Sequence, residues 1–249
     1  MPSRDIACAA SVLTGGLLDG PPAELREVAR TRVSVHYETA DPRLPVLTVC
    51  TADAVRLPDA VVTGSLPPSE LVAGAGRLTA ARQTWRVARW WRPPAPRGLP
   101  IPSPAGWPPA DLPGAALPPE RLPAPTYDGL VPADLLGAGA GLTPAGDDIL
   151  AGALVTAHAT ADPRLAAWCR GTRAALATRS TTAVSRGMLH QALHGYATPQ
   201  LAAAVDAVCR GLAAARPVAD LLAVGHSSGA ALWLGVVHTL RTRSMRSAA

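Results

Sequence analysis

The chain has 249 residues, 48% hydrophobic and 16% charged, so it can bury a core as one large domain or two small ones. It contains no Lys, which excludes Lys-bearing phosphate loops and lysine Schiff bases to pyridoxal phosphate. The formal charge of +5 rests on Arg alone, in an Ala-, Pro- and Gly-rich composition typical of a GC-rich genome. Basicity by itself therefore does not indicate nucleic-acid binding.

Cysteine usage and hydropathy predict a soluble, cytoplasmic protein. The cysteines are far apart, without the spacing of a metal site, which favours buried reduced thiols: Cys8, Cys50, Cys169 and Cys209. Residues 6–18 are mostly apolar, but Gly15 and Gly16 interrupt the pattern of a signal peptide, which stays the alternative. No run reaches the roughly 18 apolar residues of a membrane span, so no membrane partner is expected.

The first part of the chain, residues 1–92, is predicted to be a small antiparallel sheet. Short apolar runs at 32–37, 46–50 and 60–63 are typical of strands, and each ends at Pro, Asp or Gly. We expect an α+β N-terminal domain there.

Residues 78–92 are predicted to form a helix, in which three arginines share a face and three tryptophans supply most of the aromatic mass: Arg82, Arg86, Arg89, Trp85, Trp90 and Trp91. One interpretation is a nucleic-acid or membrane-surface element, with Arg on phosphates and Trp stacking. The other is an amphipathic helix whose tryptophans enter the core, and we favour it because aromatic side chains usually lie there. Nucleic acid is therefore not expected as a partner.

A proline-rich linker is predicted at residues 93–126, because thirteen prolines lie between Pro93 and Pro125. From residue 127 to 249 the pattern turns helical, with three- and four-residue apolar spacing over 149–160, 164–178, 185–193, 199–215, 218–224 and 229–241. The predicted fold class is thus α+β: a small antiparallel β-rich N-terminal part, a linker and a mainly α-helical C-terminal domain.

The segment GAGAGLTPAGDD (137–148) has the sequence pattern of an anion-binding helix start. Thr143 is a good N-cap and Pro144 suits the first helical position, which would leave backbone N–H groups facing a ligand. Gly137, Gly139 and Gly141 would let the backbone approach that ligand, and the helix dipole favours a carboxylate or phosphate.

Two adjacent carboxylates follow that loop in the predicted first turn. Asp147 and Asp148 could hold a divalent metal such as Mg²⁺, act as a general base or bind the amide of a substrate. They could equally be there to stabilise the helix dipole. The preceding glycines favour a functional role.

A faint internal repeat links this segment to GHSSGAALWLG (225–235). With one residue deleted, Gly146 aligns with Gly229, Ile149 with Leu232, and Gly152 with Gly235. A glycine six positions into each helix would allow close helix packing around a pseudo-two-fold axis. The two helix starts would then converge, with the first-copy residues opposite the second-copy residues: Thr143, Asp147 and Asp148 opposite His226, Ser227 and Ser228.

Several polar residues around these helix starts have two interpretations each. His226 could be an acid/base group or an anion donor, or could stabilise the turn. Ser227 formally matches a Gly-x-Ser-x-Gly hydrolase elbow, but the preceding residues read as helix, so that interpretation is less favoured. Thr182 and Ser185 could cap the next helix or bind substrate. His190 and His194 are four apart but lack a third metal ligand, and are expected on a helix surface.

Three segments in this order and spacing, GLTPAGDDILAG, TTAVS (181–185) and GHSSGAALWLG, resemble the AllH-type family over residues 127–241. The family was long catalogued as a domain of unknown function. It includes a subunit of the oxamate carbamoyltransferase of allantoin breakdown, which converts oxalurate and phosphate to oxamate and carbamoyl phosphate alongside partner subunits. Ala145 stands where the family commonly has Ser.

This resemblance implies a carbamoyltransferase-type subunit in purine breakdown with a small anionic substrate and partner protein subunits. The residues assigned to catalysis are Asp147, Asp148 and His226. Those assigned to substrate binding are Gly139, Gly141, Thr143, Gly146, Thr182, Ser185, Ser227, Ser228 and Gly229. The alternative is a non-catalytic subunit that binds a metabolite or scaffolds its partners through the same loops.

Overall fold

The computed structural model describes residues 4–102 and 130–247. Most of the predicted linker therefore lies outside the described residues. The chain divides into two compact units: Met1–Pro93 with Arg186–His190, and Pro94–Ser185 with Gln191–Ala249.

The first unit is built on a closed eight-stranded barrel. Its strands are β1 (Arg4–Ser11), β2 (Ala23–Arg30), β3 (Ser34–Glu38), β4 (Val46–Cys50), β5 (Ala60–Thr63), β6 (Leu71–Gly74), β7 (Arg77–Ala80) and β8 (Gln83–Trp91), with a short helix α1 (Gly15–Asp19) after β1. The order around the barrel is β1-β5-β4-β3-β2-β6-β7-β8. Strands β1 and β8 pair in parallel and close the barrel, and β4 and β5 also pair in parallel.

Alternation along the strands fills the barrel interior with apolar side chains. In β3, Val35 and Tyr37 belong to the core cluster, and in the neighbouring β4 so do Leu47 and Val49. Trp85 of β8 contributes the largest of these buried side chains. Successive side chains of a strand point to opposite faces, so the apolar core side chains recur at every second position. The polar residues between them, such as His36 and Thr48, are buried as well.

The predicted small antiparallel sheet is wrong, although the overall class is α+β. The three strand-like runs at 32–37, 46–50 and 60–63 correspond to β3, β4 and β5, but the sheet is a mixed, closed barrel. Closure depends on pairing β1 with β8, for example Ile6 with Trp85, across most of the unit's length. Local hydrophobic patterning carries no information about such a distant partner.

The predicted helix at residues 78–92 is also wrong, because this segment forms β7, a turn and β8. The turn places Ala81 at φ +47°, outside the helical region. Trp85 is fully buried, as expected of a core aromatic, whereas Trp90 is 43% exposed. The pairing of β1 with β8 shifts register between Cys8 and Ala9, and this irregularity broke the alternation that would have indicated a strand.

The second unit is helical. Its helices are α2 (Pro132–Leu135), α3 (Ala145–Ala159), α4 (Leu165–Thr178), the two ends of α5 (Ala183–Ala192), α6 (Pro199–Cys209), α7 (Ala215–Leu222) and α8 (Ser228–Ser247). The middle of α5, Arg186–His190, is grouped with the first unit. Each of the six predicted helical segments overlaps one of α3 to α8, with ends that differ by up to six residues. The short helix α2 was not predicted.

Helices α3 and α8 cross closely at a pair of glycines. A Cβ on Gly152 of α3 would overlap the carbonyl oxygen of Leu232, and a Cβ on Gly235 of α8 would overlap that of Ile149. The alignment of the two copies pairs these same positions, so the contact is reciprocal. It confirms the predicted close packing of two equivalent helices.

The preceding short helices extend this equivalence. A Cβ on Gly146 would overlap the carbonyl oxygen of Leu135 at the end of α2, and a Cβ on Gly229 would overlap that of Leu221 in α7. The pairs α2–α3 and α7–α8 are therefore two copies of one arrangement, in which a short helix packs against the start of a long one.

Candidate functional site

The loop between α2 and α3, residues 137–143, is here called the glycine loop. Its glycines lie in the left-handed region, with φ of +72° at Gly137, +113° at Gly139 and +98° at Gly141. A Cβ on Gly137 would lie 2.6 Å from the Ser180 carbonyl oxygen, whereas nothing lies within 4 Å of one on Gly141. Conformation thus explains all three glycines, and close packing explains Gly137 and also Gly139, where a Cβ would lie 2.9 Å from the Ala145 backbone nitrogen.

The start of α3 differs from the predicted one. Pro144 is the N-cap, α3 begins at Ala145, and no side chain caps it among the described residues. The first N–H groups are also used internally, because Gly146 donates to the Ala138 carbonyl (2.8 Å) and Asp147 to the Pro144 carbonyl (2.9 Å). The predicted Thr143 cap is wrong, since the pyrrolidine of Pro144 fixes the turn instead. These two amides are not available to a bound anion.

Asp147 is fully buried and ties the glycine loop to the start of α5. Its Oδ1 accepts a hydrogen bond from the Gly137 N–H at 2.8 Å, and its Oδ2 accepts one from the Thr181 hydroxyl. Hydrogen bonds to a buried carboxylate are among the stronger ones in proteins. Both oxygens of Asp147 are therefore engaged in holding the loop.

Asp148 is the opposite case. Its side chain is 1% exposed, and neither carboxylate oxygen makes a hydrogen bond of standard geometry with the residues that the structure describes, although the hydroxyls of Ser228 and Thr143 lie close enough to interact with it. Burial raises the pKa of Asp148 to about 7, while the nearby hydroxyls of Ser228 and Thr143 counteract part of that rise. A buried carboxyl without partners is costly to the fold, so its retention needs a reason other than stability.

The starts of α3 and α8 converge beside Asp148. Thr143 Oγ1 and Ser228 Oγ lie 2.8 Å apart and share a hydrogen bond, and we call them the hydroxyl pair. Both residues are half-buried, whereas Asp148 beneath them is buried. The predicted convergence of the two helix starts is thus confirmed.

A third helix start, that of α5, borders the same region. The Thr182 hydroxyl donates to the Leu142 carbonyl at 2.7 Å and also accepts from the Ser185 N–H at 3.0 Å. Thr182 therefore caps α5 and holds the glycine loop at once. Ser185 is fully buried, and its hydroxyl has no hydrogen-bond partner within the described part of the chain.

The second-copy loop presents its predicted residues at different depths. His226 is exposed, Ser227 is half-buried, and Gly229 is buried with its N–H donating to the Val224 carbonyl. Because helix α7 precedes this loop, the strand–turn–helix context of a hydrolase elbow is missing around Ser227. Of this loop, only Ser228 is placed beside Asp148 by the contacts described above.

Sequence reasoning missed two members of this region. Thr181 binds Asp147, and the Leu142 carbonyl receives Thr182. The run Ser180-Thr181-Thr182 was a usable signal for the first, because a hydroxyl cluster before a helix often binds more than its own cap. A backbone carbonyl leaves no signal in the sequence.

Residues 135–240 match the family model described as oxamate carbamoyltransferase subunit AllH. This match confirms the resemblance over that segment, which is less than half of the 249 residues. It contains the glycine loop, both aspartates and the starts of α3, α5 and α8. No curated protein and no solved structure matches the chain.

Two further searches covered all of the described residues, one for metal-binding clusters and one for membrane-spanning helices. No three His, Cys, Asp or Glu side chains in residues 4–102 and 130–247 are grouped so as to hold a metal ion. None of the helices in these residues is both long enough and apolar enough to cross a membrane. The matched segment contains a buried carboxyl whose pKa is about 7, the hydroxyl pair next to it and the starts of three helices.

Proposed function

We propose that this chain is a subunit of a carbamoyltransferase acting on small oxo-acid amides in purine and allantoin breakdown, and that the junction of α3 and α8 binds the substrate. The observation that carries the proposal is Asp148, which is buried, makes no hydrogen bond of standard geometry within the described residues and lies next to the hydroxyl pair. The description of the matching family as a subunit supports the presence of partner subunits.

Carbamoyl transfer from oxalurate to phosphate breaks the bond between the carbamoyl carbon and the oxamate nitrogen. The phosphate oxygen forms the new bond, and the leaving nitrogen must gain a proton. A carboxyl with a pKa of about 7, as burial gives Asp148, is populated in both protonation states at neutral pH and suits this task. Asp148 is therefore assigned as the proton donor to the leaving nitrogen, and as its acceptor in the reverse direction.

The other polar groups have supporting roles in this proposal. The hydroxyls of Thr143 and Ser228 orient the substrate carbonyl, and the exposed His226 lies at the rim for the incoming phosphate. Asp147 holds the glycine loop through Gly137 and Thr181 and does not itself contact substrate. It is thus a positioning residue and not a catalytic one.

The test is a thermal-shift titration of the full chain with oxamate, oxalurate, carbamoyl phosphate and phosphate, because ligands that bind the native state raise its melting temperature. We expect a shift with at least one carbamoyl-bearing ligand, and its loss in the Asp148→Ala protein. Asp220→Ala, which removes an exposed carboxylate on α7, is the matched control and keeps the shift. A shift that survives Asp148→Ala would contradict the assignment of this site.

A further inference from the structure

The outer face of strands β7 and β8 carries arginines that lie side by side. Arg77 of β7 is directly opposite Arg86 of β8 in the antiparallel pairing of these strands, and both are exposed. Their chain neighbours Leu78 and Trp85 are also opposite each other and belong to the barrel core, so the two arginines point outward. Two like charges directly opposite each other destabilise a sheet, and this pair therefore works against the fold.

A β-bulge adds a third arginine to the same face. Ala7 and Ala9 of β1 are two residues apart, but their partners in β8, Arg86 and Arg89, are three apart, because the register shifts between them. With regular alternation, Arg89 would point the opposite way from Arg86. The extra residue, Ala88, turns Arg89 back to the outer face, where it is exposed.

Arg77, Arg86 and Arg89, here called the arginine patch, carry more positive charge than nearby carboxylates neutralise. The Nε of Arg86 lies 3.0 Å from Asp5 Oδ2, and these side chains are 54% and 59% exposed. Neither Arg77 nor Arg89 forms an ion pair with any residue in the described parts of the chain. Three guanidinium groups beside one paired carboxylate leave the patch positively charged towards solvent.

The aromatic side chains beside the patch favour a protein partner over a nucleic acid. Single-stranded nucleic acids bind basic grooves through exposed aromatic rings on which the bases stack. Trp91, two residues after Arg89, already stacks with Arg56, whose guanidinium carbon lies 5.3 Å from the ring centroid. Trp90 is exposed, but it pairs with the core residue Ala10 and so does not share the face of the arginines. The patch thus presents guanidinium groups, which suit carboxylates.

We propose that the arginine patch is a docking surface for a partner subunit, whose acidic segment places carboxylates on Arg77, Arg86 and Arg89. Guanidinium groups bind carboxylates through two parallel hydrogen bonds, and arginine is enriched in protein interfaces. Carboxylates between Arg77 and Arg86 also remove the repulsion within that pair. The existence of a partner subunit rests on the proposed function. The place and charge of its contact come from the barrel, which lies outside the residues matched by the family model.

Two probes of the same length test the patch, a fluorescein-labelled oligoglutamate and a fluorescein-labelled oligothymidylate. Fluorescence anisotropy with the full chain is expected to show that oligoglutamate binds more tightly. Arg77→Gln combined with Arg89→Gln is expected to weaken oligoglutamate binding at least about fivefold, which corresponds to roughly 1 kcal/mol. Substitutions of exposed side chains of this kind leave the fold intact.

The matched control is Arg32→Gln combined with Arg170→Gln. Both arginines are exposed, lie outside the patch and form no ion pair within the described residues, so the control removes the same charge. It is expected to change oligoglutamate binding less than about twofold in about 0.1 M salt, where exposed charges more than about 10 Å apart are largely screened.

The outcomes distinguish the possible occupants of the patch. If oligoglutamate does not bind, or if the control variant weakens binding as much as the patch variant, the docking surface is overturned. If oligothymidylate binds more tightly and loses affinity in the patch variant, the occupant is a nucleic acid and the partner-subunit proposal is overturned. Sedimentation velocity of the full chain tests a third occupant, because self-association that the patch variant loses would replace the partner subunit with a second copy.

These measurements are independent of the site at the start of α3. The Asp148→Ala protein is expected to bind oligoglutamate as the unmodified chain does, and the patch variant is expected to keep the thermal shift with carbamoyl-bearing ligands. A lost thermal shift with intact, arginine-dependent peptide binding would overturn the proposed function alone, and the reverse result would overturn the docking surface alone.

Discussion

The two copies of the helix pair, α2–α3 and α7–α8, share their packing and differ in their chemistry. In both, a glycine near the helix start packs against the preceding short helix, and another glycine forms the crossing point. A hydroxyl also repeats, since Thr156 donates to the Gly152 carbonyl and Thr239 to the Gly235 carbonyl. Only in the first copy does the first turn of the long helix carry carboxylates.

This difference separates structural requirements from functional ones. Helix α8 forms and packs without any acidic residue in its first turn, so the arrangement does not need carboxylates to stabilise the helix dipole. Asp147 has a structural task in the first copy, because it binds Gly137 and Thr181. Asp148 makes no such hydrogen bonds with the described residues, which is why we propose a functional role for it.

The largest effect is expected at the shared crossing. Gly152→Ala and Gly235→Ala each force a Cβ into a backbone carbonyl, so each is expected to lower the free energy of unfolding by about 3 kcal/mol or more. Because both push the same two helices apart, the double variant should cost less than the sum. Urea denaturation of the two single variants and the double variant measures these changes in the free energy of unfolding.

The control for the crossing is Gly64→Ala, where an added Cβ meets nothing within 4 Å, and its effect should stay within about 0.5 kcal/mol. Strict additivity of the two crossing variants would show that they do not act on one shared contact.

Effects of intermediate size are expected at the adjacent aspartates, where the two substitutions should change the free energy of unfolding in opposite directions. Asp147→Asn loses the hydrogen bond from Thr181 and should destabilise the protein by about 1.5–3 kcal/mol. Asp148→Asn removes a buried carboxylate without partners and should stabilise it by about 1–3 kcal/mol at pH 8. Urea denaturation at fixed pH compares the two variants.

The pH dependence sharpens this contrast. The carboxyl of Asp148 ionises near pH 4 in the unfolded chain but near its raised pKa of about 7 in the folded protein. The folded state therefore binds more protons between these values, and stability falls as pH rises from 4 to 7. Asp148→Asn should reduce that fall without abolishing it, because burial also raises the pKa of Asp59 in the barrel to about 7. An unchanged pH profile would contradict the burial of Asp148.

The smallest effect is expected at the second-copy serines. Ser228→Ala removes a hydroxyl that lowers the pKa of Asp148, so that pKa should rise further, by less than about one unit, the scale of one hydrogen bond. Ser227→Ala should leave it unchanged. Carboxyl ¹³C NMR titration measures the pKa of Asp148 in both variants. Equal pKa changes in Ser228→Ala and Ser227→Ala would mean that Ser228 is not the neighbour of Asp148.

Local patterning predicted the helical unit well and the barrel poorly. Helices α3 to α8 each carry apolar residues at three- and four-residue spacing, although α3 is buried on nearly all sides, and this spacing is decided within one segment. In the barrel, the run from Leu78 to Trp91 mixes buried and exposed aromatics across a register shift, which imitates helical spacing. Strand partners and barrel closure are decided between segments, where periodicity carries no signal.

The sequence by itself predicted which segments form the candidate site, from motif spacing and the internal repeat: the glycine loop, the two aspartates, the hydroxyl run before α5 and the second-copy loop, of which only Ser228 is shown beside Asp148. Only the tertiary structure decided how they differ. Thr143 contacts Ser228 instead of capping α3, and Asp147 accepts hydrogen bonds from Gly137 and Thr181. Asp148 is buried and makes no hydrogen bond of standard geometry with the described residues. Adjacent identical residues acquire opposite roles because successive positions on a helix point about 100° apart, so their neighbours come from different parts of the chain.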